Sequence, residues 1–500
     1  MASKDLRQSF VTIETRDTDN SDLNQKFLSK QQMETADKYC DEEVDTEITL
    51  KAVFSYAPTY LINSLSLMFN RMNPYLLNMI SLIFIAFYGS ATLTAGFGLG
   101  NAVYMFFWQI FTQVNGETQG INCSKAYGAG DWKSMRLCFY RGFSWNIVIT
   151  IVSVIFYANI DTILLGVGFE PEMTRQAHAM ICAMIPALFL QTFNEMFRNY
   201  LMSQKVSKPF LWINLASFAV FPFGGYYFIY ASGWGVVGFG LLKFVVEFVS
   251  LMGLIVTMKF LGHPESLKRE PLLEIFNLKD YCQYLRDFGK ILMGWYASYF
   301  GMEVNTILCG LLKDTIAMNC WVAYMNMFAI IWTIGCGLAL TTRTECGTLI
   351  GENKPLTARK YAFCGWILAN FYAVIAGILV LVLHRDIAYM FTEVPEVLDQ
   401  MGYQIILLGI LTFLIGSGPI WSSVFRIINR SGLYSMILIS NQCILSTVLT
   451  CILMLYFKLG APSIGYSYLC GWVSTFTMTL VYAVRFDWSS LKQKQQKINA

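Results

Sequence analysis

A chain of 500 residues that is 55% hydrophobic and only 14% charged carries more apolar surface than a soluble core encloses, so lipid is the solvent for much of it. The net charge of +3, scattered between apolar runs, excludes a nucleic-acid surface and so nucleic acid as a partner. Most of the 13 cysteines sit singly in apolar stretches, as Cys182, Cys309, Cys320, Cys336 and Cys451 do. Without CxxC pairing they read as packing residues, and no metal site or cofactor is expected.

Residues 1–50 are polar, acidic and poor in aromatics, which predicts a disordered cytosolic tail with no secretory leader before the first apolar run near Ala52. In hydrocarbon every backbone group must be satisfied internally, so each apolar run of about 20 residues predicts a helix. The runs fall at 52–88, 92–115, 138–159, 177–202, 209–230, 236–260, 289–311, 316–340, 360–383, 401–425, 433–457 and 463–485, about twelve crossings by length and apolarity. The first is interrupted by Asn70-Arg71-Met72-Asn73-Pro74 and is taken as one crossing with a kinked lead-in. A charged linker at 261–288 separates a six-helix bundle at 51–260 from a second at 289–486, and 487–500 forms a C-terminal tail. The fold class expected is an all-α polytopic membrane protein.

Lys and Arg concentrate in the connections after even-numbered helices, including Lys125, Lys133, Arg136, Lys205, Lys268, Arg343, Lys354 and Arg426. That bias places these connections and both termini in the cytosol. The halves also echo each other: KAYGAGDWKSMR at 125–136 is matched by CGTLIGENKPLTAR at 346–359.

A carboxylate in hydrocarbon is costly unless paired, hydrated or protonated, so each intramembrane acid is a functional candidate. Glu303 lies mid-helix with no basic residue within one turn, which suits proton or cation binding. Trp295, Tyr299 and Glu303 repeat at i, i+4, i+8 with Thr306 beside them, a face fit to clamp an organic cation. Gln109, Gln113 and Glu117 form a similar polar stripe on the second helix. Gln191, Glu195 and Arg198 cluster on the fourth helix, and Lys243 and Glu247 lie four apart on the sixth. Opposite charges at these spacings predict local pairing. Pro58, Pro186, Pro222 and Pro419, with Gly416 and Gly418, are candidate hinges.

Several segments together resemble the multidrug and toxic compound extrusion (MATE) family in its eukaryotic branch: NMISLIFIAFYG (78–89), KAYGAGDWKSM (125–135), YLMSQKVSKPFLWINLASF (200–218), GMEVNTILCGLL (301–312) and TRTECGTLIGENKP (342–355). The resemblance covers 52–485. It implies two six-helix bundles about a pseudo-two-fold axis, a central cavity opening alternately to each side, and export driven by protons or sodium. By the same resemblance Gln204 and Asn214 fix a bend and the cytosolic gate. The chain departs from the family at Ser81 and Gly120, where relatives carry acids, and at Ser298, where eukaryotic relatives carry a first glutamate. Coupling is therefore expected through Glu303.

The expected activity is a proton-coupled multidrug antiporter for small, often cationic molecules, with sodium as the alternative ion. It would work as a monomer in the plasma membrane or a vacuolar or vesicular membrane. A lipid-linked oligosaccharide flippase is the alternative; it would need an Arg- and Lys-rich cavity, whereas these stripes are neutral and acidic. Only three histidines exist and no Walker motif, so neither an enzyme nor an ATP-driven pump is expected.

Overall fold

The computed structural model describes residues 50–88, 91–311, 315–389, 395–416, 418–460 and 462–491. The expected tail at 1–50 falls outside them apart from Leu50. Among the described residues the chain is helical without strands. Its long helices are α1 (Ala57–Tyr88), α2 (91–128), α3 (Trp132–Ala158), α4 (Pro171–Ser203), α5 (Lys208–Ala231) and α6 (Gly235–Leu261). The second half repeats the pattern with α7 (Leu278–Leu311), α8 (Thr315–Gly351), α9 (Pro355–Val382), α10 (395–427), α11 (Ser431–Tyr456) and α12 (Pro462–Arg485). Nine helices among the described residues are long and apolar enough to cross a membrane by length and composition.

α1 is one helix of 32 residues containing Pro74, so the interruption does not divide the run into two helices. Proline removes one backbone donor, and polar side chains collect beside it. Asn73 donates to Asn214 Oδ1 at 3.3 Å, and Asn214 donates to Asn70 Oδ1 at 3.3 Å. α2 runs through Ala91–Tyr104, a π-helical turn at Met105–Gln109, and Ile110–Gly128. The stretch Lys125–Gly128, expected in a connection, is therefore helical.

The repeat is visible in the backbone. Left-handed residues end helices at matching places: Gly130 with Asn353, Lys205 with Asn429, and Gly233 with Lys458. Cys123 donates to the Met135 carbonyl and Cys346 to the Ala358 carbonyl, in each half twelve residues on.

Small residues let neighbouring helices approach where water drives no association. A Cβ on Gly240 of α6 would meet the Ala183 backbone of α4 at 2.6 Å, and one on Gly416 of α10 would meet Ala373 Cβ of α9 at 2.3 Å. The segment 262–277 is pinned to the start of α3 by two arginines. Arg136 pairs with Glu270 at 2.5 Å and donates to the Glu265 carbonyl at 2.6 Å. Arg141 donates to the Glu274 and Ile275 carbonyls at 3.0 Å each.

The glycine contact gives a direct test. Overpacking costs about 1–3 kcal/mol, so Gly240→Leu is expected to lower the unfolding temperature measured in detergent. Gly98→Leu, where a Cβ meets nothing within 4 Å, is expected to leave it unchanged.

Candidate functional site

A cavity of about 550 Å³ lies between the two halves. α1 supplies Arg71 and Tyr75, α2 supplies Gln113 and Glu117, and α7 supplies Trp295, Ser298 and Tyr299. The far wall is aromatic, with Trp321, Phe328 and Trp332 from α8 and Tyr468 and Trp472 from α12. Phe328 stacks on Trp332 at 5.8 Å and Trp332 packs on Trp472 at 5.3 Å. Trp295 and Tyr299 stack at 6.2 Å, so the aromatic part of the expected α7 face lines the cavity. The side chains of Glu303 and Thr306 lie outside the described residues.

Glu117 Oε2 accepts from the Trp295 indole at 3.1 Å and forms a buried ion pair with Arg426 of α10. The pair bridges the halves. Arg343 of α8 is buried and donates to Asn199 Oδ1 of α4 at 2.9 Å. Its guanidinium lies against Gly120, where an added Cβ would stand 3.0 Å from Nη2. Glycine at this position thus leaves room for the arginine.

The placement corrects the sequence reading. Arg343 and Arg426 are not loop cations but helical residues lining the cavity, because α8 and α10 continue beyond their apolar runs. With Arg71 they set three guanidiniums against one carboxylate among the described lining residues. The lining is therefore not the neutral and acidic surface expected. No periodicity separates an inward arginine near a helix end from a solvated one, and the positive-inside rule counts both as loop charge.

A smaller cavity of about 80 Å³ lies inside the first half and shares Arg71, Tyr75, Met105 and Gln113 with the central one. It gathers Gln109, Gln191, Glu195, Arg198, Lys243, Glu247 and Asn214. Gln109 faces this pocket rather than the central cavity, and its side-chain oxygen accepts from Tyr104 and, at 3.2 Å, from Gln191. Glu195 and Arg198 form the expected pair at 3.9 Å. Lys243 and Glu247 do not: the Lys243 ammonium sits 3.9 Å from the centre of the Tyr104 ring, and Glu247 accepts from Asn194 at 2.6 Å. Asn199 joins the two systems by donating to Glu195 at 2.8 Å while accepting from Arg343. Gln204 lies at the end of α4, where its side-chain oxygen accepts from the His263 backbone at 3.0 Å. Among the described residues no group of three His, Cys, Asp or Glu could hold a metal.

One end of the cavity is sealed by contacts between the halves. Lys205 pairs with Glu345 at 3.1 Å, Lys125 donates to Asn429 at 2.8 Å, and Tyr60 bonds Thr342 at 2.9 Å. Added Cβ atoms on Gly128 and Gly351 would lie 2.0 Å from the Thr348 oxygen and 2.2 Å from the Lys125 oxygen, so only glycine permits this approach. Burial alone would lower the Lys205 pKa, but Glu345 and then Glu352 outweigh it and hold the ammonium above its ordinary value. A raised value keeps the ammonium charged through the neutral range, and the lysine's share of the pair's stabilisation is lost only as pH climbs through that value. The ion pair itself therefore survives across the neutral range.

A helical bundle split about a cavity of this kind defines a membrane transporter. The MatE family model matches residues 67–227 and again 291–452, so the chain belongs to the MATE family, with two related six-helix bundles, and is a transporter rather than an enzyme. It is 23% identical over 392 residues to Protein DETOXIFICATION 53 of Arabidopsis thaliana, covering 76% of this chain and 78% of the relative. Its fold matches the crystal structure of the eukaryotic MATE transporter AtDTX14 with a TM-score of 0.82 at 15% identity, over 89% of this chain and 99% of the other. A MOP superfamily transporter from Pyrococcus furiosus, described as having a binding pocket of reverse polarity, matches with a TM-score of 0.79 at 15% identity, over 89% and 99% of the two chains.

Breaking a buried pair by removing one partner costs about 3–5 kcal/mol, because the other charge is left buried. Glu117→Ala is expected to lose stability on that scale in chemical unfolding. Adding Arg426→Met should restore most of it; an equal loss in the double variant would contradict the assigned pairing.

Proposed function

We propose that this chain exports small organic molecules by alternating access, exchanging them for protons moving inward, with sodium as the alternative ion. The observation that carries the reading is the cavity between two related halves, closed at one end by polar contacts from one half to the other. Its volume suits a compact ligand. The termini and the sealed end are assigned to the cytosol on the distribution of Lys and Arg, and a single chain is taken as the working unit in a plasma or vacuolar membrane.

Glu303 remains the proposed coupling residue. The reading is supported by its place on α7, whose Trp295 and Tyr299 line the cavity, and by the scarcity of acids in membrane helices without a role. The sequence favours an organic cation as cargo; the three arginines of the lining weigh against it. They also meet the condition set for an oligosaccharide flippase, but the enclosing aromatic wall suits a compact cargo better than a polyprenyl chain.

Vesicles containing the full protein, loaded with a panel of small dyes and given an imposed pH gradient, test the reading. Gradient-driven efflux is expected from wild type, and Glu303→Gln should reduce it to the level of protein-free vesicles while the amount of folded protein holds. Undiminished efflux in the variant would remove Glu303 from coupling.

A further inference from the structure

We infer that the cargo of the central cavity is an aromatic organic anion, its acid group held by Arg343 and Arg71 and its flat body by the tryptophan-lined wall. The inference rests on the export reading and adds the chemical class of the cargo.

The first support is a charge imbalance. Arg426 is neutralised by Glu117, but the structure gives Arg343 only the neutral Asn199 oxygen as a hydrogen-bond acceptor. Arg343 is 3% exposed, and its Nε has no acceptor. Arg71 lines the same cavity, and its Nε is also buried without an acceptor. Guanidinium offers five donors in a planar fork and cannot shed its proton. Two such groups, short of acceptors in a space walled by hydrocarbon, are costly until an anion arrives.

The second support is the shape of the opposite wall. Trp295 and Tyr299 stack on α7, and Phe328, Trp332 and Trp472 cluster across the cavity. Aromatic faces reward a flat apolar body, while a carboxylate or sulfonate fits the guanidinium fork bidentately. A free organic cation would gain the rings but meet a lining of three guanidiniums and one carboxylate among the described residues. An inorganic anion would gain the arginines and waste the rings.

The test uses the full chain in phosphatidylcholine nanodiscs with 2-naphthalenesulfonate and (2-naphthyl)trimethylammonium, which share one ring system and differ in charge. Binding is read by quenching of tryptophan fluorescence. The sulfonate is expected to bind about tenfold more tightly than the ammonium. Arg343→Gln and Arg71→Gln should each weaken the sulfonate by about tenfold without weakening the ammonium, and Arg343→Lys should fall between. Tighter binding of the ammonium to wild type, or sulfonate affinity unchanged in both glutamine variants, would overturn the inference. The two positions are independent, so misfolding of one variant leaves the other to decide.

Repeating the titration in phosphatidylglycerol nanodiscs separates free cargo from lipid. Unchanged sulfonate affinity supports a soluble anion, while its loss would assign the arginines to lipid phosphate and overturn the proposal. In vesicles loaded with both probes under a pH gradient, release of the sulfonate alone supports the inference. Release of the ammonium alone overturns it while leaving export standing. Retention of both overturns the export reading and leaves the titration to judge the anion preference.

Discussion

The ion pair between Glu117 and Arg426 is the interaction on which the rest of the structure turns. It joins α2 of the first half to α10 of the second inside a membrane protein, where an unpaired charge of either sign costs several kcal/mol. Once these two residues are committed to one another, the indole of Trp295 completes the carboxylate's shell and draws α7 against α2. Arg343, on the neighbouring helix, is left to an uncharged asparagine. The positive character of the cavity follows from that allocation.

The sealed end follows from a second constraint, that backbone in or near lipid must be covered. Gly128 and Gly351 let the ends of α2 and α8 touch through their main chains, and the ion pair of Lys205 with Glu345 closes the edge. α8 also packs along α1 and α2, with a Cβ on Gly337 meeting Met68 at 2.5 Å, while within the bundles α4 meets α6 and α9 meets α10 through small residues.

Most of the architecture is legible in the sequence, because the length and apolarity of membrane helices are fixed by the bilayer rather than by tertiary detail. The interrupted first run is one helix, and the echo between 125–136 and 346–359 reappears as matched left-handed residues. The site is only half legible. The spacing of Trp295 and Tyr299 identifies a cavity face, and Gln113 and Glu117 reach the same cavity. Gln109, the last residue of a π-helical turn that no residue pattern announces, turns to the smaller pocket. Arg71, Arg343 and Arg426 are hidden for a different reason. Whether such a side chain faces a cavity depends on which helices pack beside it, and only the fold brings α1, α8 and α10 to one cavity. Lys243 shows the same limit, since its spacing predicts Glu247 while the ring of Tyr104, distant in sequence, takes it.

The central claim is that the bridging pair holds the sealed end shut between two halves that move. Asp131 and Glu352 are exposed there, one in each half. Spin labels at these positions, after replacing the exposed Cys282 and Cys470, would report the separation by double electron–electron resonance in nanodiscs. Two distance populations are expected, with Glu117→Gln enlarging the longer one. A single distance, indifferent to Glu117→Gln, would contradict the account.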